Sequence, residues 1–292
     1  MPAKRAQQPV FIKNLAKTML QADSPAVTDA VKALATHALP AFAMTLLLVL
    51  AGVAALWWLL QRYGVHREAS RLPPLVYLLG HLLLGFALIS GGAALFAEIA
   101  ENIGDGRQLG QLDVLFSDTI RSTISTTSLQ AFALLTHLGD PTTLTALTVL
   151  VASVLLLRRQ FWLCAAWVLT VAGGGLLNKL LKGIFERARP PHEHGLAFAD
   201  GWSFPSGHSS GSVVAFGMLA YLVTRFLPAN RAALRLPILL AAAALAFSVG
   251  SSRVFLQVHF ASDVLAGFAF GAAWLAVCVG AVEVGRYRWI NQ

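Results

Sequence analysis

Three short polar groups interrupt an otherwise apolar chain, and their residue types are those that handle phosphate. The first is KGIFERARP, residues 182–190. Lys182 and Arg189 are seven residues apart, so a helix continuing to Pro190 would project both cations from one face as a clamp for an anion. The second is Pro205-Ser206-Gly207-His208, which reads as a helix start. Free N–H groups and the positive dipole end attract an anion there, glycine allows close approach, and proline in the first turn forfeits nothing. The third is SRVFLQVHFASD, residues 252–263. Arg253 offers a planar, permanently charged fork for phosphate oxygens. His259 and Asp263 are spaced i, i+4, so the carboxylate can accept from one imidazole nitrogen and leave the other as a nucleophile. Such an aspartate fixes the tautomer and stabilises the cation that forms. Three cations, a helix N-terminus, two histidines and a carboxylate are the inventory for phosphoryl transfer, which is mostly positioning and charge stabilisation.

The elements that position these groups are membrane spans. Uncharged runs occupy 33–61, 72–97, 141–157, 160–178, 205–224, 236–252 and 264–282, giving seven spans and an all-α, polytopic transmembrane helical bundle. The two runs of 17 residues are short, and flanking arginines extend them by snorkelling. The first run does not read as a cleaved signal, because about 30 residues of mixed polarity precede it and no small-residue cleavage site follows. Ten arginines (62, 67, 71, 158, 159, 225, 231, 235, 286 and 288) crowd one set of short connections, which the positive-inside bias makes cytoplasmic. The other set, 98–140, 179–204 and 253–263, has seven Lys/Arg and ten Asp/Glu, and the three polar groups lie in it or at its borders. They therefore emerge on the outer side together, although 14 and 43 residues of chain separate them. Ionisable residues at such a position are costly and by default functional.

Two segments resist this scheme. The basic tail falls outside with seven spans, and Phe11, Ile12, Leu15, Met19 and Leu20 opposite Lys13 and Lys17 predict an interfacial amphipathic helix there. Residues 98–140 begin acidic and continue through a Ser/Thr-rich stretch that makes a poor lipid-facing surface, so they read as helix lying across the outer end of the bundle.

Composition excludes other classes. Of the 292 residues, 57% are hydrophobic and 12% charged, against about a quarter charged in soluble domains, which excludes a disordered chain and a soluble globule. The net charge of +8 comes with no Lys/Arg block interleaved with aromatics, so no nucleic-acid partner is expected. Two cysteines, Cys164 and Cys278, inside apolar runs predict packing rather than a disulfide framework. His192-Glu193-His194 reads as solvated loop rather than a metal pair, and Gly173-Gly174-Gly175 as a close helix contact. Glu186, Arg187 and Asp200 shape the entrance or do nothing.

KGIFERARP, PSGH and SRVFLQVHFASD, in that order, resemble the three signature motifs of the type 2 phosphatidic acid phosphatase (PAP2) superfamily over roughly residues 74–285. The resemblance implies a six-helix core at 74–286, with an extra span at 39–61 and a polar or amphipathic segment at 1–38. It also implies a metal-independent, cofactor-free phosphatase. His259 would be the nucleophile, Asp263 its orienting carboxylate and His208 the general acid and base; Lys182, Arg189, Arg253, Ser206 and Gly207 would bind phosphate. Residue chemistry by itself leaves the choice of nucleophile open, with the i+4 carboxylate favouring His259. The implied protein is a multi-pass lipid phosphatase of a bacterial-type inner membrane, with its site facing the periplasm or exterior. It would act on a phosphomonoester or diphosphate lipid such as phosphatidic acid, phosphatidylglycerol phosphate or undecaprenyl diphosphate. The alternatives are a phosphotransferase of the same superfamily and a lipid transporter using the clamp only to bind. The haloperoxidases that share these residues are soluble, which the spans argue against.

Overall fold

In hydrocarbon every backbone polar group must be satisfied within its own segment, so long uncharged runs with proline confined to their first turns fold as helices. The computed structural model describes residues 25–62, 74–103, 107–191 and 195–290, and these contain helices and no strand. Ten α-helices follow in order: α1 (Pro25–Thr36), α2 (Ala38–Arg62), α3 (Pro74–Asn102), α4 (Gln108–Thr123), α5 (Thr126–Thr136), α6 (Pro141–Leu157), α7 (Phe161–Phe185), α8 (Gly207–Phe226), α9 (Arg235–Phe255) and α10 (Ala261–Ile290). Short 3₁₀ turns at His137–Gly139 and Ala229–Leu234 precede α6 and α9.

Among the described residues five helices are long and apolar enough to cross a membrane: α2, α7, α8, α9 with its 3₁₀ turn, and α10. Helices α5 and α6 make a sixth only together, and they meet at a bend of 43°. The 29-residue α3 runs antiparallel to α10: Gly92 lies against the Ala269 carbonyl, and Ile99 clusters with Ala266. The seven predicted runs thus correspond to α2, α3 and α6 to α10. The predicted helix around Phe11–Leu20 lies outside the described residues.

Alternation of direction sorts the connections. One end carries Arg62, Arg158, Arg159, Arg225, Arg231, Arg235 and Arg286. The other gathers α1, α4, α5, the 186–206 loop and the 256–260 turn. Residues 108–136 form two helices in contact with this end, and the second of them, with α6, passes for one bent span. Ser125 caps α5 by accepting from the Ser128 N–H, and Phe132 of α5 stacks on Phe255 at the end of α9, ring centroids 4.2 Å apart. Helix α4 rests against α1, with Ala35 and Ile120 fully buried in one apolar cluster.

Close backbone approach draws the start of α10 onto the start of α8. A Cβ at Gly267 would lie 2.7 Å from the Ser206 carbonyl oxygen, and one at Gly271 2.9 Å from that of Ser210. Within the predicted glycine contact of α7, Gly173 and Gly174 pack against Trp274, whereas Gly175 faces open space. Both cysteines are free, with Cys164 buried.

Candidate active site

The first cation of the site is carried by a helix end and the second by a loop. Glu186 takes the left-handed conformation at φ 43° and ends α7 at Phe185. The expectation of one helix running to Pro190 with Lys182 and Arg189 on the same face is therefore not met. The chain turns at Glu186 and brings Arg189 back from the loop side. Lys182 Nζ donates to the carbonyls of Trp202 and Ser203, the latter at 3.2 Å. Arg189 donates from Nε to the Gly201 carbonyl at 2.9 Å and from Nη2 to those of Asp200 and Trp202, each at 3.0 Å. Five carbonyl contacts from one loop so fix two cations that the helix alone could not align.

Ser206 caps α8 from a fully buried position, its Oγ accepting from the Ser209 N–H at 3.3 Å and the Ser209 hydroxyl at 2.9 Å. Its own N–H donates to the Asp263 carbonyl at 3.0 Å. The cap leaves Gly207 and His208 as the first residues of the helix, where N–H groups point outward toward any anion. Asn178 of α7 braces this turn, donating to Ser210 Oγ at 3.2 Å. Ser206 thus lies beneath the cavity surface, and Gly207 and His208 form part of it. His208 Nε2 donates to Asp140 Oδ1 at 2.9 Å, and the same carboxylate takes His137 Nδ1 on its other oxygen at 2.8 Å.

His259 sits in the turn between α9 and α10. That turn needs a left-handed residue, and Gln257 supplies it at φ 59°. Gln257 is held by the Ser117 hydroxyl, which donates to its Oε1 at 2.6 Å, and by its own Nε2 on the Val254 carbonyl at 2.9 Å. Asp263, in the first turn of α10, reaches back to the Phe260 N–H at 2.9 Å in the manner of a capping box. The same oxygen lies 3.3 Å from His259 Nδ1. A carboxylate only accepts, so Nδ1 carries the proton and Nε2 the lone pair. Nε2 faces Arg189 Nη1 at 3.1 Å. Burial pushes the His259 imidazolium down to about 3 despite Asp263, so the ring is neutral at ordinary pH.

Arg187 completes this arrangement. Its Nη1 donates to Asp263 Oδ1 at 2.6 Å and its Nη2 to Asp113 Oδ2 at 2.8 Å, while the guanidinium lies 4.3 Å from the Phe260 ring centroid. Asp113 of α4 in turn accepts from the Ser262 N–H at 3.2 Å and from its hydroxyl, and Ser203 Oγ donates to Asp263. Arg253, buried at the end of α9, donates to Thr136 Oγ1 at 2.7 Å. Its buried Nε has no partner among the described residues.

Lys182, Arg189, Arg253, Gly207, His208 and His259 all line one cavity of about 720 Å³. It continues between α6 and α7 to Val149 and Val171, the latter eleven residues from Lys182, or about 16 Å down the helix. Leu144, Val149, Val171, Gly175 and Val214 stand in its inner walls beside Thr145 and Thr148, which leaves that part mainly apolar. A charged headgroup site joined to an apolar slot of half-membrane depth suits a lipid phosphate.

Comparison with known proteins agrees with this geometry. The PAP2 superfamily model matches residues 161–286, which hold all three polar groups. Phosphatidylglycerophosphatase B of Bacillus subtilis is 36% identical over 155 residues, 53% of this chain and 75% of that protein. The chain belongs to the PAP2 superfamily. A crystal structure of the transmembrane PAP2 phosphatidylglycerolphosphate phosphatase from Bacillus subtilis superposes with a TM-score of 0.63 at 28% identity, covering 68% of this chain and 96% of that one. Lipid A 1-phosphatase of Rhizobium johnstonii is 37% identical over 130 residues, and the chain spans about half its length, 48%. This is accordingly a multi-span membrane phosphatase of the PAP2 type.

Several site residues carry no sequence pattern. Arg187 lies inside KGIFERARP, but helical spacing selects Lys182 and Arg189 over it. Asp140, Asp113, Thr136 and Ser203 arrive from distant segments. Their one available signal is polarity: Asp140 is the acidic residue ending an uncharged run at Asp-Pro, three residues after His137. Residues 192–194 lie outside the described residues, and among those described no group of His, Cys, Asp and Glu could hold a metal ion.

Proposed function

We propose that the chain hydrolyses a phosphomonoester or diphosphate headgroup of a membrane lipid through a phosphohistidine at His259. The observation that carries this reading is the orientation of His259. Its Nδ1 is tied to Asp263, and its Nε2 faces the cavity beside Arg189. The phosphoryl group would rest among Lys182, Arg189, Arg253 and the first N–H groups of α8, with its lipid tail in the slot between α6 and α7. His259 Nε2 attacks phosphorus as the bond to the leaving oxygen breaks, and His208 gives that oxygen its proton. Asp263 balances the cationic phosphoimidazole. Water then attacks phosphorus while His208 takes its proton. The P–N bond breaks, inorganic phosphate leaves, and both histidines return to their starting states.

On this reading residues 74–286 are the catalytic core, and α2, packed against α9, is an additional span. The arginine-bearing end faces the cytoplasm of a bacterial-type inner membrane, and the site faces the periplasm or exterior. Phosphate release from phosphatidic acid, phosphatidylglycerophosphate and undecaprenyl diphosphate in detergent micelles, with vanadate as inhibitor, tests the reading. His259→Ala should abolish release; wild-type release from that variant refutes the mechanism. Transport without chemistry would release no phosphate, and a phosphotransferase would need an alcohol acceptor that competes with water.

A further inference from the structure

Asp140 stands just before α6, where an aspartate ordinarily accepts from the next N–H groups, yet its side chain makes no capping bond. Both oxygens are instead given to imidazoles, His208 Nε2 at 2.9 Å and His137 Nδ1 at 2.8 Å. The approach is tight. A Cβ at the preceding Gly139 would lie 2.5 Å from Val249 Cγ1 and 3.0 Å from His208 Cδ2, so the bend between α5 and α6 is pressed against the His208 ring. With Nε2–H committed to Asp140, Nδ1 is the nitrogen left for the cavity.

The charges around that ring pose a problem that Asp140 answers. To protonate a leaving oxygen, His208 must carry a proton on both nitrogens, as an imidazolium. The other charges that act on it are Arg253 from α9 and Arg189 from the loop after α7, both positive and both required for phosphate. Asp140, from the bend before α6, is the carboxylate that opposes them, and exposed His137 holds its far oxygen from the solvent side.

We infer that Asp140 is the positioning residue of the acid–base histidine: it turns His208 Nδ1 toward the phosphate and favours the imidazolium amid the clamp cations, with His137 fixing the carboxylate. In the first step the proton passes from His208 Nδ1 to the leaving oxygen while Nε2–H stays on Asp140. In the second Nδ1 recovers a proton from the attacking water. Asp140 neither gains nor loses a proton in the cycle. The inference rests on the reading of His208 as acid and base.

The test measures kcat/KM for phosphatidylglycerophosphate in mixed micelles from about pH 5 to about pH 9. Wild type, Asp140→Asn, His208→Gln, the double variant and His137→Gln are compared as full-length protein. Asp140 makes no capping bond that the substitution could remove, and asparagine has the same shape, so Asp140→Asn should unfold thermally like the wild type. Its kcat/KM should fall about ten- to a hundredfold near pH 8, with the alkaline limb displaced to lower pH. The double variant should be no slower than His208→Gln, and His137→Gln should lose less than about threefold. Asp140→Glu, which keeps the charge, should return the alkaline limb toward its wild-type position, and it replaces Asp140→Asn in the comparison should that variant unfold. An equal loss at every pH, or losses that multiply in the double variant, would overturn the inference. Wild-type activity in His208→Gln would instead overturn the acid–base reading beneath it.

Discussion

His259 and His208 both line the cavity and each carries a carboxylate on one imidazole nitrogen, but the first pair is almost wholly buried and the second is partly exposed. The His259 and Asp263 side chains are 3% and 0% exposed, those of His208 and Asp140 14% and 29%. Asp263 is held by a backbone N–H, a serine hydroxyl and Arg187, whereas among the described residues Asp140 is held by two histidines. The nitrogens are used in opposite senses: Nδ1 is tied in His259 and Nε2 in His208. A nucleophile needs one fixed lone pair and no proton, which burial supplies by disfavouring the imidazolium. On the proposed reading His208 must gain and lose a proton each cycle, and the Asp140 carboxylate favours its protonated form against burial and the clamp cations. On the proposed mechanism these surroundings would divide the labour between two residues of one type.

Breaking the buried pair should have the largest effect. His259→Ala should lower phosphate release by about 10⁴-fold or more, measured in the same micelles as the wild type. Asp263→Asn should lose about 10³- to 10⁴-fold, because an amide can donate to Nδ1 and so hold the wrong tautomer. The exposed pair should be more forgiving. His208→Ala should lose about 10²- to 10⁴-fold with an alkyl phosphate and much less with an aryl phosphate, whose leaving group needs no acid. Equal losses with the two leaving groups would remove the distinction between the pairs.

Arg187→Met leaves Asp113 and Asp263 buried without their shared cation and should destabilise the protein by about 3–5 kcal/mol, read from thermal unfolding in detergent. The smallest effect concerns pH. Since burial holds the His259 imidazolium well below its ordinary range, the rate of phosphoenzyme formation from an aryl phosphate in His208→Ala should stay level as pH falls from about 7 to about 5. A decline through that range would mean that His259 is gaining a proton and that burial does not set its state.

The helical class and the convergence of Lys182, Arg189, His208, Arg253, His259 and Asp263 were legible in the sequence, since apolar runs of known length force alternate ends onto one side. Helix continuity past Phe185 was not, because a left-handed turn at Glu186 has no glycine to announce it. The supporting carboxylates were hidden for another reason. Asp113, Asp140 and Arg187 act across sequence separations of 68 to 149 residues, and periodicity carries no information at that range. The segment holding Asp113, Ser117 and Thr136 reads as one helix across the bundle end, whereas it folds as two, the second joined to α6 at a bend of 43°. Its function in bracing the turn of His259 and the guanidinium of Arg253 emerges only from contacts.

The division of labour is tested most directly by trapping the phosphoenzyme. His208→Ala should be mixed with an aryl phosphate labelled in the phosphoryl group, quenched in base and digested to peptides. The account predicts label on the peptide containing His259, stable in base and lost in acid, absent from His208→Ala/His259→Ala and short-lived in the wild type. Label at another residue, or undiminished labelling after His259 is replaced, would contradict it.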